Sequence, residues 1–499
     1  MELQFYKKEI PCMRPVINQT LQQELTQEIK LPDNMPEIGR VIGAWGEVLL
    51  RSKQWHTSSL EVSGGIIAKV LYLSESDGSP CCAEAWVPFQ MQSEFPKVDR
   101  DGKFNLTCHL RFADARSVSA RRIMFRAGIS ATVDAYIPDN MLVYCADEVP
   151  ENIHILKKTY PVCTPSELGE KAFSVEELLP LPAACPPIRQ MIYYTLRPEI
   201  IDKKLLAEKI VFRGIAVLSI FYHADDGSFC SYDFEVPFSQ YQELDHDYDE
   251  KAMVSVQLVE TGLDVDLTDD GKLSLKAGLL AQYLICGYHI VEIVEDAYSS
   301  THNTVMDMQP LLLNSVLDVR DETLRMEAPI QADVMRVVDV MCGCDGLEIN
   351  HNDDRVDMNA VLWYQVLYYG TDGLLQSTVT NGQVQWSLPA SDETDVFVNA
   401  TLSGKPQCVP TGSGISVQSD FCVNVTTRFA NEIQMISQIQ TTDVLPADPD
   451  RPALVICRIG DMGLWDLAKK YKSSPEKILA ANCGDTEPEK GKILIIPMN

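Results

Sequence analysis

The chain has 499 residues, of which 45% are apolar and 23% charged, and its formal net charge is −29 at pH 7. The apolar fraction excludes a chain that is disordered throughout, and the length allows three or four domains. The negative charge lies in the first 450 residues, because residues 451–499 hold eight Lys and Arg against six Asp and Glu. Such a surface repels phosphate groups, so we expect neither nucleic acid nor an anionic membrane as a partner.

The N-terminus and the cysteines indicate a compartment. Residues 1–9 contain no apolar stretch of signal-peptide length, and no run in the chain reaches about 18 apolar residues. We therefore expect a cytoplasmic protein without membrane insertion. The 15 cysteines are an odd number without a repeated spacing, which favours free thiols over a disulfide framework. Neither close pair, Cys81-Cys82 or Cys342-Gly343-Cys344, has a second pair in register to complete a metal site.

The same pattern of strand, turn and strand occurs three times. A β-rich run is followed by an Asp-Gly turn and, in two copies, by Val-Pro-Phe. The runs are residues 66–73, 215–222 and 361–368; the turns are Asp77-Gly78, Asp226-Gly227 and Asp372-Gly373; the Val-Pro-Phe segments are 87–89 and 236–238. A repeat of this kind predicts tandem copies of one structural unit.

Flanking sequences keep the same register. Residues 125–131 correspond to 275–281, with a more divergent third copy at 416–425. Apolar and polar residues alternate between Asp-Gly and Asn-Gly turns, a pattern typical of antiparallel strands with one buried face. We therefore predict a mainly β, multidomain fold, with three tandem β-sandwich or barrel-like repeats followed by a small βααβ domain.

The predicted repeats, each with its connector or N-terminal segment, are residues 1–145, 146–298 and 299–445, and the terminal domain is residues 450–499. Within this plan, residues 18–29 and 166–179 are predicted to be short helices or polar connectors between units. Their apolar content indicates that adjacent units pack together.

The candidate catalytic and metal-binding residues are more simply explained as parts of turns. Gly412-Ser413-Gly414 precedes a predicted strand, which favours a flexible turn over a catalytic serine. The acidic patch 351–357 lacks the glycine and the terminal glutamate of a calcium-binding EF-hand loop. Asp264, Asp266 and Asp269-Asp270 lie beside Gly271, as expected of a solvated hairpin tip. We therefore expect a protein that is not an enzyme and that holds neither a cofactor nor a metal.

Residues 455–497 predict the order strand, helix, helix, strand. Val455-Ile456-Cys457 is a β-branched run, and residues 493–497 form the closing strand. Between them, Leu464, Leu467, Ala468 and Tyr471 recur at the spacing of one helical face. Ser474-Pro475 then supplies a capping hydroxyl and a proline for the first turn of a second helix.

This terminal segment resembles the LysM family. The resemblance is carried by four motifs: Gly460-Asp461, LWDLAKKY at 464–471, AAN at 480–482 and ILIIP at 493–497. Three β repeats followed by such a segment resemble the SPOCS-domain proteins, and most of all the SipL-like spore coat morphogenetic proteins of endospore-forming Firmicutes. The resemblance implies a non-enzymatic scaffold of the mother-cell cytosol. At the forespore surface it would join the morphogenetic ATPase that forms the basement layer of the spore coat.

The resemblance also implies a binding surface in the terminal segment. Glycan-binding LysM members hold N-acetylglucosamine units between the loop after the first strand and the loop before the last. The corresponding partner- or glycan-binding residues here are Gly460, Asp461, Met462, Gly463, Leu464, Asn482, Cys483, Gly484 and Asp485. Met462-Gly463 replaces the single threonine usual in the family, which weighs against a glycan contact and favours a protein partner. Peptidoglycan binding stays the alternative, and edge strands of the repeats could add self-association by strand pairing.

Overall fold

A computed structural model describes residues 2–3, 5–352, 354–390, 394–411, 414–445, 452–458, 462–482, 484 and 491–498. These residues are mostly β-strand, with two short helices near the C-terminus. The mainly β fold class predicted from the alternating sequence pattern is therefore confirmed.

After the short strand β1 (Glu2–Leu3), the strands form three units of six. The first unit contains β2 (Tyr6–Lys30), β3 (Ile38–Trp55), β4 (Ser59–Ser74), β5 (Pro80–Glu94), β6 (Lys103–Ser119) and β7 (Arg122–Cys145). The second unit contains β8 (Ile153–Leu179), β9 (Ile188–Leu206), β10 (Lys209–Ala224), β11 (Phe229–Glu243), β12 (Met253–Leu267) and β13 (Leu273–Ser299). The third unit contains β14 (His302–Ile330), β15 (Val334–Asn352), β16 (Arg355–Gly370), β17 (Leu375–Pro389), β18 (Thr394–Thr411) and β19 (Gly414–Val444).

Each unit has two antiparallel sheets with the same strand order. The second, third and fourth strands form a meander, as in β3-β4-β5, β9-β10-β11 and β15-β16-β17. The sixth strand lies between the first and the fifth, as in β2-β7-β6, β8-β13-β12 and β14-β19-β18, and β1 pairs with β19. In each unit the two sheets share one apolar core. In the first unit, for example, Val70 and Tyr72 of β4 lie in the same buried cluster as Phe125 and Ile129 of β7.

The Asp-Gly turns close the second hairpin of each meander. Gly78, Gly227 and Gly373 adopt φ values of 71°, 84° and 74°, a region in which glycine avoids the Cβ clash of other residues. The aspartate before each glycine accepts a hydrogen bond from the backbone N–H two residues on, at 3.1 Å for Asp77, 2.9 Å for Asp226 and 3.0 Å for Asp372. Sequence and structure agree here because the turn chemistry is local.

The expectation of helices or connectors at residues 18–29 and 166–179 is wrong. The first segment lies inside β2 and pairs with β7, and the second lies inside β8 and pairs with β13. Leu21, Leu25 and Ile29 follow one another at intervals of four residues. That interval places side chains on one face of a strand as well as of a helix, so the spacing alone cannot separate the two.

The first and last strands of each unit are unusually long. They have 25, 24, 27, 27, 29 and 31 residues in β2, β7, β8, β13, β14 and β19, where strands of about 3–10 residues are usual. One end of each strand covers the core of its own unit. The other ends meet in an apolar cluster shared by all three units, formed by Ile10, Met141, Val143, Val162, Val291, Ile293, Leu311, Leu313 and Met435.

The three units close into a ring. The last meander strand of each unit contacts the first meander strand of the next, as in β5 with β9, β11 with β15 and β17 with β3. Two of these junctions use matching contacts. Arg40 of β3 donates to the carbonyl oxygen of Leu375 (2.8 Å), and Arg336 of β15 donates to that of Phe229 (3.3 Å). The third unit is therefore joined to the first as well as to the second.

The C-terminal segment contains β20 (Leu454–Arg458), α1 (Leu464–Tyr471), α2 (Pro475–Ala481) and β21 (Ile493–Pro497). The two strands pair antiparallel, with Ile456 opposite Ile495. Helix α2 begins as its sequence indicates, because the Ser474 hydroxyl accepts a hydrogen bond from the Lys477 N–H at 3.1 Å and Pro475 occupies the first turn.

Candidate functional site

The terminal surface predicted from the sequence is described only in part. Gly460, Asp461, Cys483 and Asp485 lie outside the described residues. Among the described residues, the Met462 side chain is 42% exposed to solvent. Leu464 begins α1, and its side chain packs against the core of the segment. Gly463 precedes α1, and its N–H donates to the Asp466 carboxylate at 3.3 Å. This surface stays a prediction.

Asn482 and Gly484 take part in bonds within the segment. The Asn482 amide donates to the carbonyl oxygens of Ile478 and Ile495 at 2.7 Å each and accepts from the Ile495 N–H at 2.8 Å. The Gly484 N–H donates to the carbonyl oxygen of Leu479 at 3.2 Å. The Asn482 side chain therefore joins α2 to β21, a structural role that the sequence did not indicate.

The C-terminal segment is docked on the end of β13 in the second unit. The Asp296 carboxylate accepts hydrogen bonds from Trp465 Nε1 at 2.8 Å and from Lys469 Nζ at 2.7 Å to each oxygen. Two residues along, the buried Tyr298 donates its hydroxyl to the carbonyl oxygen of Ser473 at 2.6 Å. Its ring lies 5.1 Å from that of Trp465, edge to face.

Tyr298 is part of the hydrophobic core of the terminal segment. It is 1% exposed and clusters with Leu467, Ala468, Ile478, Leu494 and Ile496. Burial raises the pKa of its phenol above the usual value. A segment of this size has a small core, and the ring contributed by the second unit is one of the six buried side chains of that cluster. Nothing in the sequence around Asp296 identified this contact, because the two partners are about 170 residues apart.

A second candidate site is a cavity of about 230 Å³ where the three units meet. Each unit contributes the same two strands of its topology to the walls: β3 and β6, β9 and β12, and β15 and β18. The residues at matching register positions differ in charge. The matching residues are Glu47 in the first unit, Arg197 in the second and Gly343 in the third. Each lies opposite a residue of the middle meander strand, which is Ile67, Val217 and Trp363 respectively. The junction therefore brings together an acidic and a basic residue instead of three residues of like charge.

Two further charged residues lie beside this pair. Lys69 is 1% exposed, donates to the carbonyl oxygen of Tyr194 at 2.7 Å, and holds its Nζ 3.4 Å from the centre of the Tyr194 ring. Burial lowers the pKa of Lys69, and the charge of Glu47 opposes that change. Burial raises the pKa of Glu260, and the charge of Glu47 raises it further. Burial also raises the pKa of Glu47, against the charges of Lys69 and Arg197.

Several polar atoms at this cavity make no hydrogen bond within the described part of the chain. They are Arg197 Nε, Glu260 Oε2, His109 Nε2 and Trp45 Nε1. Burial lowers the pKa of His109 to about 4, so its ring is neutral at pH 7. The cavity can hold water or a small polar molecule, but the arrangement defines no reaction by itself. A signal was present in the sequence, since Lys69 interrupts the apolar run 66–73.

Two further kinds of feature are absent from the described residues. No group of three or more His, Cys, Asp or Glu side chains in them is placed to hold a metal ion. No helix in them is both long and apolar enough to cross a bilayer.

These features define a mainly β protein with three six-stranded units in a ring and a small segment of two strands and two helices docked on it. Residues 187–268 match the family model described as SipL, SPOCS domain. The matched stretch runs from β9 to β12, which is the meander and the fifth strand of the second unit. The match indicates a sporulation-related role. Searches of curated proteins and of solved structures returned no match.

Proposed function

We propose that this chain is a non-enzymatic scaffold in the assembly of the endospore coat. The observation that carries the proposal is the SPOCS match of the second unit, together with the same strand order in the first and third units. On this proposal all three units are copies of one SPOCS-type β-sandwich. A ring of three such units presents several surfaces in fixed positions, and contacts at several of them add avidity without any single tight site.

The sequences at matching positions support the duplication. Tyr72 of β4 donates its hydroxyl to the carbonyl oxygen of Pro36 at 3.0 Å, and Tyr222 of β10 donates to that of Pro186 at 3.2 Å. Both pairs span 36 residues. A long-range contact repeated at the same separation is expected of copies of one unit.

The C-terminal segment is proposed to be a LysM domain that binds a protein partner, the morphogenetic ATPase of the coat basement layer. Its order of strand, helix, helix and strand supports the family assignment, and the exposed Met462 supports a surface open to a partner. The place of action is proposed to be the mother-cell side of the forespore surface. No cofactor is needed for this role.

The test uses fluorescent fusions of the full chain in sporulating cells, with affinity capture of the coat ATPase. A point variant is better than deletion of the segment, because deletion would uncover Tyr298. Met462→Glu places a charge on the proposed surface, and Met335→Glu is the matched control at a site in β15 that is 62% exposed. We expect a ring around the forespore and capture of the ATPase for the unmodified chain and the control, and loss of both for Met462→Glu.

The possible negative results of these experiments contradict different parts of the proposal. A diffuse signal from the unmodified chain would contradict the scaffold proposal. Normal rings and normal capture with Met462→Glu would contradict only the assignment of the surface. Retention of the purified full chain on peptidoglycan, lost with Met462→Glu, would favour the glycan-binding alternative.

Asp296→Asn tests whether docking of the segment matters for recruitment. It weakens the bonds to Trp465 and Lys469 and leaves Met462 untouched. If the docked position presents the surface to the partner, this variant should reduce capture without abolishing it.

A further inference from the structure

A cleft of about 420 Å³ opens between the first and third units, on the side of the long strands. Its walls come from β2 and β7 of the first unit, β14, β18 and β19 of the third, and a short piece of β8. The volume lies within the range of small-molecule sites, about 300–1,000 Å³. It is separate from the three-unit cavity and from the terminal segment.

The inner walls of the cleft are apolar. Met141, Leu311 and Met435 are 9%, 6% and 3% exposed, and Met13 and Phe397 also line the cleft. Methionine side chains are flexible and polarisable, and they adapt to apolar ligands of varied shape. The rim is polar, because Arg14 pairs with Asp139 at 2.9 Å. An apolar interior with a charged mouth fits an elongated molecule that is apolar along most of its length.

Besides Arg14 at the rim, a second cationic side chain, Arg428, lines the cleft. Arg428 is 9% exposed, and its guanidinium carbon lies 4.0 Å from the centre of the Phe397 ring. Its Nη2 donates to the Tyr136 hydroxyl and lies 3.6 Å from Asp134 Oδ2. Its Nε and Nη1 are buried and make no hydrogen bond to the described residues. Buried donors without acceptors are costly, and hydrogen bonds from a guanidinium to a carboxylate are among the stronger ones.

We propose that this cleft binds a fatty-acid-like molecule, with its chain along the methionine and leucine walls and its carboxylate on Arg428. A cationic amphiphile is excluded by the charge of Arg428, and an alcohol of the same length would lack the charged hydrogen bonds. Burial raises the pKa of Asp134. A ligand carboxylate can therefore replace Asp134 as the counterion of Arg428 while Asp134 takes up a proton. The scaffold role does not depend on this site.

The experiment is isothermal titration calorimetry of the full chain with dodecanoate, dodecanol and dodecyltrimethylammonium, each below its micelle concentration. We expect one dodecanoate per chain. Dodecanol should bind at least about tenfold more weakly, because a hydrogen bond to a charged group is lost, and the cation should not bind. Absence of dodecanoate binding, or equal affinity for dodecanoate and dodecanol, would overturn the proposal.

Two variants locate the site. Arg428→Met removes the guanidinium, but its buried contacts with Tyr136 and Asp134 could make this variant unstable. Ala430→Trp avoids that difficulty, because Ala430 is an exposed residue that lines the cleft on β19, and a tryptophan there blocks the cleft. Gln434→Trp is the control, at an exposed position on the same strand that is not among the residues lining the cleft. Ala430→Trp should abolish dodecanoate binding and Gln434→Trp should keep it; unchanged binding with Ala430→Trp would refute this location.

Discussion

Glu260 shows how the ring changes the chemistry of a single residue. It lies on β12 in the second unit, and its carboxyl faces the charge of Glu47 from the first unit. In the isolated sequence it is an ordinary residue of an alternating strand. Burial at the junction and the neighbouring carboxylate together raise its pKa, so the folded chain favours the protonated form.

We predict that Glu260→Gln is more stable than the unmodified chain at pH 7. When the pKa of a carboxyl is raised in the folded state, the folded chain keeps a proton that the unfolded chain releases, so stability falls as the pH rises from the unfolded pKa towards the folded pKa. Glutamine stays neutral throughout. The advantage of Glu260→Gln should therefore be present at neutral pH and disappear below the ordinary value of 4.5.

The measurement for Glu260→Gln is thermal unfolding between about pH 4 and pH 8, a range that spans the ordinary glutamate pKa. Glu94→Gln, at an exposed site at the end of β5, is the control and should show no such trend. A difference between Glu260→Gln and the unmodified chain that does not vary with pH would contradict the expected titration.

The hairpin β10–β11 shows how the elements are fixed by local chemistry. Its turn requires φ of 84° at Gly227, and a Cβ built there would meet no atom within 4 Å. A substitution at this position therefore tests the backbone conformation alone. Gly262, in β12, also has open space around it but not a positive φ, so it serves as a matched control.

We predict that Gly227→Ala destabilises the β10–β11 hairpin by about 1 kcal/mol, because an L-residue with a side chain pays that order of cost in the left-handed region. Gly262→Ala should be neutral or slightly stabilising, since it restricts the unfolded chain. Hydrogen exchange of the β10 and β11 amides measures the local opening free energy. Equal exchange rates in the two variants would show that the turn does not need this conformation.

The whole molecule depends on contacts between units. The shared cluster around Ile10, Val162 and Leu311 takes side chains from all three, and the ring is closed by contacts such as Arg40 with Leu375 and Arg111 with Asp345, whose charged groups are 3.2 Å apart. Removal of either neighbouring unit would therefore expose apolar side chains of each unit to solvent. Adjacent units pack together, although the segments from which this was expected are strands and not connectors.

We predict that cutting the chain between the first and second units does not separate them. A specific protease site inserted after the exposed Glu148, in the link between β7 and β8, allows the cut. The nicked chain should elute from a sizing column as one species of unchanged size and should fall apart only in denaturant. Elution as two fragments under native conditions would show that the contacts between units are too weak to hold the ring.

The sequence alone determined the features that depend on near neighbours. Alternation specified strands, Asp226-Gly227 specified a hairpin turn, and Ser474-Pro475 specified the start of a helix. These succeed because each signal and its structural effect lie within a few residues. The sequence also showed a pattern repeated three times, and the match of the middle unit to a SPOCS domain agrees with the resemblance drawn from it.

Only the tertiary structure decided which surfaces meet. The four-residue spacing in segment 18–29 fits a helix and a strand equally, and pairing with β7 selects the strand. In the same way, Asp296 becomes a docking residue through contacts about 170 positions along the chain. Glu47 and Arg197 become neighbours across about 150 positions. Such pairings depend on the burial of distant apolar faces against one another, and no local sequence pattern specifies which faces pack together.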